Sequence, residues 1–165
     1  MGMTLHRPHS PHRPHRPRRV LAVASGGGHW IQLLRMRPAW EGCEVVYAST
    51  RPTDRDEVAG APFRVVPDAN RWVKWRALWC GIRVALLVVA QRPDTVVTTG
   101  ALPGYFAVVT GRLIGARTVW VDSVANVDEL SMSGRWAGPH ADLWLTQWKH
   151  LSTPDGPTYR GTVFG

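Results

Sequence analysis

The sequence predicts an α/β fold, a doubly wound parallel sheet, on three observations. The run Val20-Leu21-Ala22-Val23-Ala24 is almost wholly apolar, the character of a strand buried on both faces. It leads through Gly26-Gly27-Gly28 into Ile31, Leu33, Leu34 and Met36, whose spacing suits a helix packed back on that strand. The same succession returns at Asp94 to Thr99, the turn Gly100-Ala101-Leu102-Pro103-Gly104 and an apolar helix from Tyr105 to Ile114.

The elements follow in order. Residues 4–19 repeat His-Arg-Pro, His-Ser-Pro, His-Arg-Pro, His-Arg-Pro, a period of three that matches polyproline II and excludes helix. Residues 1–19 therefore read as a disordered basic tail, and residues 20–165 as one Rossmann-like domain. The tail lacks the apolar core of a signal peptide. Its histidines allow adventitious metal binding, and its arginines allow contact with anionic lipid at about 1 kcal/mol each. A solvated tail is the simpler reading.

Cys43 to Ser49 reads as the second strand and Pro62 to Val66 as the third, with Arg51–Glu57 a polar loop between them. Beyond Asp68 the chain turns aromatic and basic. At about 100° per residue Trp72, Trp75, Trp79, Ile82, Leu86 and Val89 share one helical face, with Arg76 and Arg83 along its edge. The apolar run from Val84 to Ala90 falls far short of the ~20 residues a bilayer span needs. The face is thus either core against the sheet or an interfacial surface with indoles at headgroup depth. Both hold if the C-terminal half packs and the tryptophan half is exposed. Gly115 closes the next helix, Arg117 to Asp122 is a further strand leading to the polar segment Ser123–Ser131, and Asp142 to Thr146 is another.

Composition narrows the function. The formal charge is +8, but all twelve acidic residues lie after Arg19, and five of the twenty basic ones lie before Val20. The tail carries +5 and the remainder +3, which is not a nucleic-acid surface. Cys43 and Cys80 have no metal spacing and fit a reducing cytoplasm. No acidic pair has the character of a metal site, so neither a metal nor another cofactor is expected.

The first glycine turn has the makings of a phosphate cradle. Glycines let an anion approach backbone N–H groups, and a helix N-terminus adds roughly half a positive charge. A tight turn with nothing bound is the plain alternative. No Lys-Ser or Lys-Thr follows the glycines, and Ile31 occupies the third glycine position of the dinucleotide fingerprint. Thr50 and Arg51 stand after the second strand where a ribose-binding acid would be, so dinucleotides are disfavoured. His29, directly after the cradle, is either a helix-start residue or a base beside bound phosphate.

Ser25-Gly26-Gly27-Gly28-His29, then Thr98-Thr99-Gly100-Ala101 with Pro103-Gly104, then Trp120-Val121-Asp122-Ser123 through Asn126 to Ser131-Met132-Ser133-Gly134-Arg135, resemble the acceptor-side subunits of split UDP-sugar glycosyltransferases. These are capsule and exopolysaccharide subunits similar to the membrane-anchoring subunit of the UDP-GlcNAc transferase of N-glycan assembly. The resemblance covers about residues 20–165 and extends more distantly to the N-terminal half of the peptidoglycan GlcNAc transferase. It implies the N-terminal half of a GT-B enzyme that holds a lipid-diphosphate-linked saccharide acceptor at the cytoplasmic face of a membrane. A separate donor-binding glycosyltransferase subunit would supply the UDP-sugar pocket, and the chain alone would be inactive. The strand-like run Tyr159–Gly165 ends where a complete enzyme would continue.

By the family pattern Ser25, Gly26, Gly27, Gly28, Thr99, Gly100 and Gly104 hold the acceptor, Asn126 faces the donor half, and His29 is the base for the acceptor hydroxyl. Asp122 and Glu129 are the rival bases, each also explained as a loop residue. Trp72, Trp75, Arg76, Trp79 and Arg83, an aromatic face with a basic edge, would meet the membrane; the His-Arg-Pro tail stands where eukaryotic subunits carry a membrane helix, so attachment by a spanning helix is not expected. A non-catalytic anchor for a catalytic partner and a stand-alone small-molecule-binding domain are the competing readings.

Overall fold

A computed structural model describes residues 16–69 and 73–164; the tail reading of residues 1–15, and Trp72, lie outside them. The strands are β1 (Arg19–Ala24), β2 (Glu44–Ser49), β3 (Phe63–Val65), β4 (Thr95–Thr98), β5 (Arg117–Val121), β6 (Leu143–Thr146) and β7 (Thr158–Tyr159). They form one parallel sheet in the order β3-β2-β1-β4-β5-β6-β7. The order reverses between β1 and β4, so the turns that follow these two strands flank the switch point where such sheets bind ligands.

The helices are α1 (Gly28–Arg35), α2 (Lys74–Gln91), α3 (Ala101–Leu113) and α4 (Met132–Ala137). β1 shows why both sheet faces must be covered. Val20, Ala22 and Ala24 pack with Trp30, Leu33 and Tyr47 on one face, while Leu21 and Val23 pack with Cys80, Val84, Val88 and Ala107 on the other. The two-residue period of a strand divides its side chains between these layers. Trp30 anchors the first layer, edge-on to Tyr47 and Phe63 at centroid distances of 6.0 and 5.9 Å.

Three expectations change, and one element comes in addition. α3 begins at Ala101, four residues before Tyr105, so Pro103 and Gly104 lie in its first turn. Proline is tolerated there because the first N–H groups of a helix have no intrahelical partner. Residues Pro52–Val58 form a 3-10 turn rather than an open loop, held where the Ser49 hydroxyl donates to buried Asp54. Met132–Ala137 folds into a short helix, capped by the Ser131 hydroxyl accepting from the Gly134 N–H at 2.8 Å. Finally, α2 packs through Cys80, Val84 and Val88, all from its middle onward, and leaves Trp75, Trp79, Ile82, Leu86 and Val89 of the predicted stripe outside. Trp75 is 67% exposed, Trp79 50% and Leu86 61%, with Ile82 and Val89 also exposed. The tryptophan end is exposed and packing begins at Cys80, as expected; what changes is that the stripe stays outside in the packed part too, where a different row of residues is buried.

Candidate functional site

The turns after β1, β4 and β5 converge at the carboxyl edge of the sheet on a cleft of about 270 Å³, lined by His29, Ala101, Leu102, Ser123, Asn126 and Trp136 among others. Wider grooves of about 710 and 820 Å³ lie at the opposite edge, bordered by the starts of β4 and β5 and by Arg18, Arg112 and Arg117. The glycine turns are not there.

His29 is the best-defined group in the cleft. Its Nδ1 lies 2.8 Å from the carbonyl oxygen of Thr99, and the Thr99 hydroxyl donates back to the His29 carbonyl at 2.7 Å. A carbonyl only accepts, so Nδ1 carries the proton; in the neutral ring Nε2 then keeps its lone pair. That is the tautomer a general base needs.

The glycines divide by role. The Gly26 N–H donates to Thr50 Oγ1 at 3.0 Å, and a Cβ on Gly26 would run into the Arg51 side chain. Gly27, with φ 77°, precedes α1, and nothing lies within 4 Å of a Cβ built on Gly28. α1 has no side-chain cap at its N-terminus, where the first N–H groups have no intrahelical partner. Ser25 is half-buried before the turn.

In the second turn the Gly100 N–H donates to Thr98 Oγ1 at 3.2 Å. Gly100 has φ 130°, and a Cβ there would lie 2.7 Å from Cε1 and 2.8 Å from Nδ1 of His29. Gly104 is buried and abuts the Thr98 hydroxyl, so it brings helix and strand together. Thr99 is fully buried, its hydroxyl turned to His29. Thus Gly26, Thr99, Gly100 and Gly104, expected as acceptor contacts, have packing or hydrogen-bonding duties inside the protein. Gly28 keeps an open face, and Gly27 has the Arg51 guanidinium against it.

Asn126 lines the cleft and donates to Asp122 Oδ1 at 3.0 Å. Asp122 is buried and also accepts from the Ser123 N–H at 3.0 Å and the Ser131 N–H at 2.9 Å. It organises the loop, with both oxygens engaged. Glu129 pairs with Arg135 at 3.0 Å on the surface. Both rival bases thus have partners that explain them.

Two features escaped the sequence reading. Arg51 lies against the glycine turn, its guanidinium 3.8–3.9 Å from a Cβ built on Gly27, and brings a cation to an otherwise uncharged cradle. The basic residue after the second strand was the available signal. The second feature is a buried amide pair. Gln32 Nε2 donates to Ser123 Oγ at 2.9 Å and to the Gly28 carbonyl at 3.1 Å, while Oε1 accepts from the Val124 N–H at 2.9 Å and from Gln147 Nε2 at 2.7 Å. Gln147 also donates to the Asp122 carbonyl at 3.0 Å. A glutamine on a short amphipathic helix carries no such signal.

On α2, Arg76 lies over the Trp75 ring at 5.4 Å and Arg83 over the Trp79 ring at 5.6 Å. The helix carries no acidic residue. No helix among the described residues is long and apolar enough to cross a membrane, and no group of three His, Cys, Asp or Glu among them could hold a metal ion.

No family model matches the chain. The sequence is similar to UDP-N-acetylglucosamine transferase subunit ALG14 from two strains of Cryptococcus neoformans var. neoformans serotype D. It is 35% identical to the B-3501A protein over 77 residues, 47% of this chain and 32% of that one, and 34% identical to the JEC21 protein over the same length. The match spans about a third of the length of these curated relatives. Among solved structures, MurG of Acinetobacter baumannii superposes with a TM-score of 0.71 at 14% identity, covering 88% of this chain and 46% of that one. A glycosyltransferase from Rickettsia africae gives 0.64 at 11% identity, covering 89% and 43%. UDP-N-acetylglucosamine 2-epimerase from Rickettsia bellii gives 0.67 at 9% identity, covering 90% and 46%. The fold is Rossmann-like and resembles the N-terminal halves of GT-B glycosyltransferases such as MurG.

Proposed function

We propose that this chain is the acceptor-binding, membrane-recruiting subunit of a two-component glycosyltransferase. It moves a sugar, GlcNAc or another hexose, from a UDP-sugar to a lipid-diphosphate-linked saccharide in polysaccharide biosynthesis. The observation that carries this reading is His29, held as the Nδ1–H tautomer in the cleft and directly after the Gly27-Gly28 turn. The likeness to a UDP-N-acetylglucosamine transferase subunit supports the reaction class.

The acceptor diphosphate rests on the Gly27 and Gly28 backbone at the start of α1, with Arg51 beside it. Helix-terminal N–H groups and a guanidinium both favour such an anion. His29 Nε2 takes the proton of the acceptor hydroxyl as its oxygen attacks the donor sugar's anomeric carbon and the bond to UDP breaks. The donor pocket lies on a partner subunit, and Asn126 faces it across the cleft. The exposed face of α2, with its tryptophans and arginines, seats the complex on the cytoplasmic side of an anionic membrane.

His29→Ala in the assembled complex tests the assignment. Turnover should fall roughly 10²–10⁴-fold, the usual contribution of a general base, while assembly and acceptor affinity stay near wild type. An equal loss of acceptor affinity makes His29 a diphosphate ligand instead. Unchanged turnover moves the base to the partner and leaves this chain an anchor.

A further inference from the structure

We infer that the second glycine turn, Thr99-Gly100, is a seat for the His29 imidazole rather than a second phosphate cradle, and that Thr99 and Gly100 are positioning residues for the base. The catalytic consequence rests on the reading of His29 as the base; the geometry does not.

Three contacts make the seat. The Thr99 carbonyl accepts from Nδ1–H and leaves Nε2 as the acceptor. The Thr99 hydroxyl donates to the His29 carbonyl, tying the start of α1 to the end of β4 across 70 residues of sequence. The ring then occupies the space a side chain on residue 100 would fill, since a Cβ there would meet Cε1 and Nδ1 well inside contact distance.

One further observation weighs against a cradle, and another marks the turn as held in place. The Gly100 N–H is already bonded to Thr98 Oγ1, so it has no proton to offer an anion. The backbone is also turned unusually, with φ 130° at Gly100 and 64° at Ala101, a conformation L side chains rarely adopt. Such strain persists where the surroundings hold it, and here it lies directly beneath the ring.

The test measures the His29 ring tautomer in the full chain by ¹⁵N-edited NMR, comparing the parent with Thr99→Val, Thr99→Ser and Gly100→Ala. The parent ring should be protonated on Nδ1 when neutral. Thr99→Val, which removes the hydroxyl tie, and Gly100→Ala, which fills the seat, should both yield mixed tautomers. Thr99→Ser, which keeps the hydroxyl, should restore the parent pattern. In the assembled complex kcat should fall at least about tenfold for Thr99→Val with KM within about twofold, and recover for Thr99→Ser.

An Nε2–H tautomer in the parent, or an unchanged tautomer in a folded Thr99→Val or Gly100→Ala chain, overturns the seat. A raised KM with unchanged kcat in Gly100→Ala restores the phosphate role. Should Gly100→Ala fail to fold, the Thr99 pair decides alone. Should the tautomer behave as expected while His29→Ala leaves turnover unchanged, the seat stands and the proposed base falls.

Discussion

Gln32 illustrates how much depends on a single buried amide at the residue scale. It lies on α1, yet its four hydrogen bonds reach the Gly28 carbonyl, the loop after β5 and Gln147 after β6. Replacing it by leucine leaves the half-buried Val124 N–H without its partner, while the Ser123 hydroxyl keeps only the Ala125 N–H and the Gln147 amide only the Asp122 carbonyl and the Val163 N–H. Each unsatisfied buried group costs about 1–3 kcal/mol, so Gln32→Leu should lower the melting temperature by roughly 5–10 °C in thermal unfolding followed by circular dichroism. A change below about 2 °C would mean that water replaces the amide. Gln32 was not legible as a site residue, because its partners lie up to 115 positions away and only the folded sheet brings them within reach. His29 was legible, standing next to the glycines; its Thr99 carbonyl partner was not.

At the scale of elements, α2 and the β5–β6 pair each make a claim. The exposed stripe on α2 means that Trp75→Ala with Trp79→Ala should change unfolding free energy little, within about 0.5 kcal/mol per site, as for other surface substitutions. Two indoles of about 150–250 Å² each, even partly inserted, are worth more than about 1.4 kcal/mol, so affinity for anionic vesicles should drop at least about tenfold. Unchanged co-sedimentation would assign the stripe to a partner surface. The helical period revealed this stripe in the sequence, but α2 also carries Cys80, Val84 and Val88 four residues apart, and only the sheet beneath selects that row for burial.

Asp142 ties β5 to β6. Oδ2 accepts from the Thr118 N–H at 2.8 Å and from the Thr118 hydroxyl at 3.0 Å, and Oδ1 from Arg112 at 2.8 Å. The Thr118 N–H above all, then its hydroxyl and the Arg112 charge, hold the carboxyl below the ordinary carboxylate value against the opposing effect of partial burial. A depressed folded pKa stabilises the protein above the unfolded value of about 3.9, and that stability is lost as pH falls through the folded value. Urea unfolding should therefore show Asp142→Asn less stable than the parent at neutral pH, with the gap closing below about pH 4. A gap independent of pH would show that the charge contributes nothing.

For the whole molecule, the expectation is that the purified chain alone releases no UDP from UDP-GlcNAc above background, even with a lipid-diphosphate acceptor. Among the described residues its cleft is bounded by the turns at one edge of a single sheet and by α4. Robust turnover by the chain alone would overturn the two-component reading. The sequence by itself determined the parallel sheet, because a strand buried on both faces must be nearly all apolar and β1 is. It also determined the first glycine turn and its histidine, since these are neighbours in the chain. It misplaced the start of α3, where Pro103 and Gly104 have the chemistry of a turn but are equally at home in a helix's first turn. What tertiary structure alone decided was the duty of each glycine. Gly26 clears the Arg51 side chain, Gly104 abuts Thr98, Gly100 makes room for His29, and Gly28 faces open space. The reason is physical: an absent Cβ permits close approach, but what approaches is set by packing between segments distant in sequence, and composition carries no record of it.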